Sequence, residues 1–502
     1  MNVAVVAAEA VPFAKTGGLA DVAGALPRAL ERLGARVTLF IPFHRRFLPA
    51  HLTVEPTGLH VQVPIGGSLV EGEIHRSRLP GSNVDVYLVD QRDYFDRDGL
   101  YQRQGVDFRD NCARFAFFNR AVLEAVRLLD IPLDLIHCND WQTGLIPLYL
   151  KEHYSTQTCL ATTGTLFTIH NLAYQGAFPC EQFALLGLVD RLFHWEALEF
   201  HGRFSFLKAG LVFADTLTTV SPTYAREIQT PELGCGLDGL LRHRRDDLRG
   251  IVNGIDSAVW RPAVEPMIAA NYDAATVAVG KPLCKAHLQR RASLPERDDV
   301  PLLAQIGRLD PQKGWDLLIE VADELLCRDV QLVVLGQGQP HYHERLDRLA
   351  ARHPGKLRVF LEFSSTLAHQ IEAGADVFLM PSLYEPCGLN QLYSLAHGTV
   401  PVVRRTGGLA DTVVDATPDN IAAGIANGVV FDDPNADALR DALQRTLNLY
   451  NDRQTWGSLI QAGMRADWSW DRSAREYLNL YQHVARRVQI RESRGTTSTA
   501  AI

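Results

Sequence analysis

The stretch Lys15-Thr16-Gly17-Gly18-Leu19-Ala20-Asp21 recurs near the other end of the chain as Arg405-Thr406-Gly407-Gly408-Leu409-Ala410-Asp411. No other feature constrains the fold as much. Each copy follows a short apolar run, at 3–8 and 400–403, and each precedes a helical start. A basic residue, a threonine, two glycines and an acid therefore twice occupy the turn between a strand and a helix. Glycine lets a backbone come close to a ligand, and the helix start behind it aims unpaired N–H groups at an anion. Two such loops, one in each half of the chain, predict two similar α/β domains whose glycine loops face one ligand.

The rest of the chain supplies the matching rhythm. Short runs at 3–8 (rich in valine), 36–41, 84–89, 133–137, 165–169 and 216–220 read as buried parallel strands. Helical stretches lie between several of them, notably 20–33, 109–129 and 206–214. Asn253-Gly254-Ile255-Asp256 and Trp260-Arg261-Pro262 break the pattern and mark a hinge. A second alternation follows, with strands at 302–306, 331–335, 357–361, 377–380, 400–403 and 429–431, and 471–488 reads as a closing helix. Such alternation predicts doubly wound parallel sheets. A chain of 502 residues needs more than one domain. The division expected is 1–252, 253–470, a helix over 471–490 and a small, polar, flexible tail over 491–502.

A net charge of −8 gives no basic surface for nucleic acid or for an anionic membrane. No apolar stretch reaches the roughly 18 residues of a membrane span. No basic region precedes the first apolar run, which Glu9 interrupts, so that run reads as a strand and not a signal peptide. The eight cysteines show neither CxxC nor zinc-like spacing, as expected of reduced thiols in a cytoplasmic protein.

Paired open α/β domains place ligands at the carboxyl ends of their strands, so the residues just after each run are the candidates. His137-Cys138-Asn139-Asp140-Trp141 sets an amide and an acid at one tip; Asp140 caps the next helix, hydrogen-bonds sugar hydroxyls, or does both. His170-Asn171 sits at the next tip, before Tyr174-Gln175-Gly176. Arg308 and Lys313 lie five residues apart around a proline turn, just before a helix. Cations are unfavourable at a helix start, and a bound diphosphate explains them: Arg308 as a bidentate fork, Lys313 as a point charge. Glu385 stands in a loop fixed by Pro386 and Gly388, shortly before the second glycine copy. That combination suits a sugar joined to a diphosphate; the alternative is that Glu385 is an acid at a helix N-terminus. Asp96-Arg97-Asp98 lies in a polar, turn-rich loop and reads as loop. Gly336-Gln337-Gly338 lacks the third glycine of a dinucleotide fingerprint and reads as a tight turn.

With these motifs in order from residue 3 to about 485, the chain resembles the bacterial glycogen synthases and the plant starch synthases. The resemblance is carried by the first glycine stretch through Val22, His170-Asn171 with Gln175-Gly176, Asn253-Gly254-Ile255-Asp256, and Gly307-Arg308-Leu309 through Gly314. Glu385-Pro386-Cys387-Gly388-Leu389 with Gln391 and the second glycine stretch complete it. It implies a GT-B fold, two Rossmann-like domains facing across a deep cleft, with the last helix crossing back to the first domain. It implies transfer of glucose from ADP-glucose to the non-reducing end of an α-1,4-glucan with retention of configuration, using no metal and no cofactor. The implied donor site comprises Lys15, Gly17, Gly18, Asn171, Asn253, Arg308, Lys313, Cys387, Gly388, Leu389, Thr406, Gly407 and Gly408. Arg308 and Lys313 would hold the diphosphate, helped by N–H groups of the Gly407-Gly408 loop. Glu385, His170 and Asp140 would lie at the glucosyl centre, where Glu385 offsets oxocarbenium charge. One departure is Gln142, where many relatives carry histidine. A UDP-glucose transferase, an epimerase and a non-catalytic glucan-binding protein are the competing readings, and the sequence carries no mark of oligomeric state.

Overall fold

A computed structural model describes residues 1–103, 105–155 and 160–498, the last eight of these as backbone only. The chain divides into two compact units. The first holds Met1–Val220, Ala225–Ile251 and the chain from Trp470 onward; the second holds Ser221–Tyr224 and Val252–Ser469.

Among the described residues the main sheet of the first unit has nine strands: β1 (Asn2–Val6), β2 (Arg36–Pro42), β3 (Glu55–Ile65), β4 (Ser68–Arg78), β5 (Asp85–Asp90), β6 (Leu135–Asn139), β7 (Gly164–Ile169), β8 (Thr216–Thr219) and β9 (Leu248–Gly250). Their order is β9-β8-β7-β6-β1-β2-β5-β4-β3. From β9 to β5 every pairing is parallel. The β3–β4 hairpin, outside the strands expected from the sequence, joins β5 antiparallel at the edge. Its β3 buries only alternate residues, Val61, Val63 and Ile65, so it lacks the continuous apolar run of a strand covered on both faces. Val3 and Val5 of β1 pack with Leu19, Val22, Leu26 and Leu30 of the helix Gly18–Arg32, and with Trp470, Ala474, Tyr477, Tyr481 and Val484 of the helix Trp470–Ser498. Each such large side chain contributes roughly 1.5–3 kcal/mol on burial.

That last helix runs to Ser498, past residue 490, so a tail beginning at 491 is corrected. The arginine- and glutamate-containing stretch after 485 favours helix, and the single Gly495 costs only about 1 kcal/mol. Residues 499–502 lie outside the described residues, as does Cys159. The other seven cysteines are free thiols. Among the described residues no helix is long and apolar enough to cross a membrane.

The second unit repeats the architecture more compactly. Its strands β10 (Leu302–Ile306), β11 (Gln331–Leu335), β12 (Leu357–Phe360), β13 (Val377–Met380), β14 (Val400–Arg404) and β15 (Val429–Phe431) lie in the order β12-β11-β10-β13-β14-β15. All pairings are parallel. Successive residues alternate between two cores. Leu303, Leu332, Val334, Val377, Leu379 and Val402 face one, while Leu302, Ala304, Val333, Leu335, Phe378 and Met380 face the other. This is the period of two expected when helices cover both faces. Ile255 pairs with Ser469, and Trp260 is stacked between His369 and Tyr393, 3.8 and 3.7 Å from their ring centroids. The stretch read as a hinge therefore packs within the second unit.

This unit also buries an acid. Glu372, on the helix Ser365–Gly374, accepts the Ser394 hydroxyl at 2.7 Å through Oε2, while Oε1 has no hydrogen-bond partner. Burial pushes its pKa up to about 8. The folded chain thus holds this proton more tightly than the unfolded chain between about pH 4.5 and 8. Stability is greater on the acid side of that window and falls as pH rises through it. Glu372→Gln is expected to remove this loss, gaining on the order of 3 kcal/mol over wild type between pH 5 and 8. Urea melts of both proteins at the two pH values measure it, and parallel pH dependences would refute it.

Candidate functional site

In the first unit the chemistry gathers beyond β1, β6 and β7, three neighbouring strands at the point where the order turns back on itself, as expected of an open α/β sheet. Beyond β1, Glu9 is buried and accepts both the Thr16 N–H, at 2.5 Å, and the Thr16 hydroxyl, at 2.7 Å. Burial raises Glu9 to about 7, against the pull of the Thr16 bonds. This acid anchors the first glycine loop from below. Its sequence signal was a carboxylate inside an apolar run, a placement rare without a partner. Lys15 Nζ pairs with Asp21 Oδ1 at 2.7 Å, both side chains partly exposed. A Cβ added to Gly17 would meet nothing nearer than Glu9, at 3.8 Å, so this loop is open.

Beyond β6, Asp140 has φ +56 and ψ −179, a region that a non-glycine residue occupies at a cost of about 1–3 kcal/mol. Its side chain makes no cap bond to the following turn, which removes the capping reading. Oδ1 instead accepts the His170 N–H at 2.7 Å, with the Asn171 N–H as a further donor. Burial raises Asp140 to about 7, and those N–H bonds oppose the shift. The His170 ring faces Asn139 Oδ1 at 2.9 Å, and burial lowers its pKa to about 3. Asn171 turns its own Oδ1 onto the Ala173 N–H at 3.1 Å. Asp140, His170 and Asn171 are thus one assembly.

In the second unit the tips of β10, β13 and β14, again adjacent, carry the other candidates. Lys313 Nζ lies 2.6 Å from Glu385 Oε2, which also accepts the Ser382 hydroxyl at 3.1 Å. Glu385 is 6% exposed. The Arg308 side chain is 54% exposed, 3.2 Å from Gln312 Oε1 and 3.5 Å from Asp310. The two cations therefore differ: one is held against the acid and the other is presented to solvent. Gln312 stitches their loop to the next, giving Nε2 to Tyr384 O at 3.2 Å and receiving the Leu383 N–H on its own carbonyl at 2.8 Å. Arg404 braces the same loop, donating to the carbonyls of Ser382, at 2.8 Å, and of Leu383. Asn253 donates to the buried sulfur of Cys387, whose thiol burial pushes up to about 12.

The second glycine copy is built differently from the first. A Cβ on Gly407 would lie 2.0 Å from Glu385 O, and one on Gly408 2.0 Å from Cys387 O. Gly407 moreover has φ +44. Only glycine lets β14's loop lie against the loop that carries Glu385. The Gly408 N–H is engaged with the carbonyls of Glu385 and Pro386, at 3.2 and 3.1 Å, so these glycines shape the acid's loop before they meet any anion. Gly388, at φ +70, and Leu389 continue that loop into the helix Asn390–Ala396. Thr406 is buried where Thr16 is exposed. Asp411 accepts the Thr223 N–H and hydroxyl at 2.8 and 2.7 Å, where Asp21 holds Lys15.

Two motifs set aside on sequence resolve cleanly. Asp96 and Asp98 both pair with Arg46, as a structural loop would. Gly336 and Gly338 are not a tight turn but a seat: a Cβ on either would lie 2.3 Å from the carbonyl of Gly307 or Leu309. They admit the Arg308 loop, which the Leu309 N–H fixes to Gln337 O at 2.9 Å. A third cluster, Glu73, His75 and Asp90, brings ligand-type atoms together, and the guanidinium of Arg45 bonds Asp90 there and lies 3.4 Å from His75 Nε2.

Comparisons with known proteins identify the family. The starch synthase catalytic domain family matches residues 2–243, and the glycosyl transferases group 1 family matches 288–461. The glycogen synthase of Anaeromyxobacter dehalogenans strain 2CP-C is 49% identical over 97% of this chain and 100% of its own length. That of Anaeromyxobacter sp. strain Fw109-5 is 48% identical over the same shares. The solved catalytic domain of Arabidopsis thaliana starch synthase IV, bound to ADP and acarbose, superposes with a TM-score of 0.90 at 31% identity, covering 96% of this chain and 99% of that one. The fold is GT-B, built from two doubly wound units, and the protein is a glycosyltransferase enzyme. With full-length matches at this identity and both catalytic families in order, the chain belongs to the glycogen and starch synthase family.

Proposed function

We propose that this enzyme transfers glucose from ADP-glucose to the 4-hydroxyl at the non-reducing end of an α-1,4-glucan, with retention of configuration. The observation that carries the proposal is the ion pair between Lys313 and Glu385, 2.6 Å apart at the tips of adjacent strands, with Arg308 exposed beside it. Breaking the bond between glucose C1 and the diphosphate oxygen leaves negative charge on ADP and positive charge on the sugar. A fixed cation beside a fixed carboxylate suits that separation, and preorganised charge of this kind is commonly the largest catalytic term. Lys313 and Arg308 take the diphosphate, and Glu385 offsets the oxocarbenium charge. The acceptor hydroxyl attacks the same face, and its proton passes to the departing phosphate oxygen. By the family's motifs, Asp140, His170 and Asn171 are assigned to the glucosyl group, and Lys15 with the Gly17-Gly18 loop to the sugar nucleotide. Asn253, Cys387, Gly388, Leu389, Thr406, Gly407 and Gly408 keep Glu385's loop in shape for the donor. Arg308 and Lys313 supply the positive charge, so neither metal nor cofactor is required, and the free thiols fit a cytoplasmic setting. The solved starch synthase IV relative was bound to ADP and acarbose, which supports this choice of nucleotide and of a glucan-like acceptor.

Nucleotide release from ADP-glucose and from UDP-glucose, with and without glycogen, tests the reading. ADP release that rises with glycogen, and survives chelator, is expected. Release from UDP-glucose alone, release indifferent to acceptor, or glycogen binding without release would each overturn it.

A further inference from the structure

Asn139 is buried, 1% exposed, at the end of β6. Its amide nitrogen lies 3.1 Å from the Val6 carbonyl and 3.3 Å from the His137 carbonyl. Both are acceptors only, so the orientation of the amide is fixed: turned over, it would set its own oxygen against two others. The oxygen Oδ1 therefore faces His170 Nε2, at 2.9 Å. An amide oxygen accepts and never donates, so Nε2 must carry the hydrogen. We propose that Asn139 is a positioning residue for glucosyl transfer that locks His170 into the tautomer with its proton on Nε2, leaving Nδ1 as a lone-pair acceptor for a substrate hydroxyl.

The surroundings reinforce the lock. Asp140 accepts the backbone N–H of His170 at 2.7 Å, so consecutive residues of one strand tip hold the histidine's backbone and its ring. Burial keeps the imidazole from gaining a second proton. Val6 and His137 belong to adjacent strands of the sheet, so the amide's two donors are seated on rigid backbone and not on a loop. In a neutral imidazole the hydrogen bond made by one nitrogen decides what the other can do. A ring so fixed accepts from a sugar hydroxyl and offers no proton to a phosphate, which directs it to the glucosyl group. That functional half rests on the proposed glucosyl transfer; the tautomer does not.

Two-bond proton–nitrogen correlation spectra of the ¹⁵N-labelled full chain at pH 7.5 test it. The His170 ring is identified among the 17 histidines as the signal lost in His170→Ala. Expected is a neutral ring with hydrogen on Nε2. In Asn139→Ala the ring is expected to become a mixture of tautomers, with kcat falling roughly 10- to 100-fold, as when other orienting partners of histidine are removed, and with donor KM nearly unchanged. Asn139→Asp, protonated on the oxygen that replaces Nδ2 so that it still donates to the Val6 and His137 carbonyls, keeps an oxygen facing Nε2 and is expected to keep the Nε2 hydrogen. A wild-type ring protonated on Nδ1 or on both nitrogens overturns the lock, and this needs no variant to fold. An unchanged ring in a folded Asn139→Ala also overturns it. If the wild-type ring is as expected but no nucleotide is released, the glucosyl-transfer reading fails and the lock stands.

Discussion

Glu385→Ala is expected to lower the rate of glucosyl transfer by about 10³ while leaving ADP binding intact or tighter. Glu385 Oε2 is the partner of Lys313 Nζ at 2.6 Å, and removing it frees that ammonium for the diphosphate. The loss should therefore sit in kcat and not in affinity, the pattern of an interaction made in the transition state. Calorimetric titration with ADP and single-turnover transfer from ADP-glucose separate the two. Turnover near wild type would show that this carboxylate has no part in the chemistry. The fold should survive, because the loop around Glu385 is held by its backbone, through the Gly408 N–H and the close seats of Gly407 and Gly408.

Lys313→Ala is expected to behave differently, weakening donor binding and turnover together, by about 10² or more in kcat/KM. It should also destabilise the protein, since it leaves Glu385 buried with only the Ser382 hydroxyl at hand. Stranding a buried charge costs about 3–5 kcal/mol; Lys313 is a fifth exposed, so about 2–3 kcal/mol is expected. Adding Glu385→Gln to Lys313→Ala should restore most of that stability and none of the activity. Denaturant melts and steady-state kinetics on the two single variants and the double decide it. Additive stability losses would mean that the pair seen in the structure does not operate in solution.

Much of this site was legible because its residues follow strands, and buried parallel strands announce themselves. In the second unit the runs ending at Ile306, Met380 and Arg404 put Arg308, Lys313, Glu385 and the glycine loop at neighbouring tips. The hydrophobic period marks where a strand ends, but not which tips are adjacent or what touches across them. The contact between Lys313 and Glu385 spans 72 residues, and that between Thr168 and His137 spans 31. Both depend on strand order, which no local pattern carries. The two glycine stretches show the same limit. Their sequences are nearly identical, yet Gly17 has room beside it while Gly407 and Gly408 have none. The difference lies in the loop 385–387, close to the second copy in sequence and pressed against it in space. Glu9 and Asn139 were visible as polar residues at the end of apolar strands; their partners were not.

The helix Trp470–Ser498 gives the chain an order of assembly. Tyr481 Oη lies 2.7 Å from His137 Nδ1, and Tyr477, Tyr481 and Val484 complete the core around β1. On the ribosome these side chains emerge after the entire second unit, whose residues 252–469 form one continuous segment. Domains generally fold as units, with the earliest-made leading. Here the earliest-made waits for its last core residues, with His137 Nδ1 lacking its Tyr481 partner until the C-terminal helix arrives, so the unit begun first is finished last.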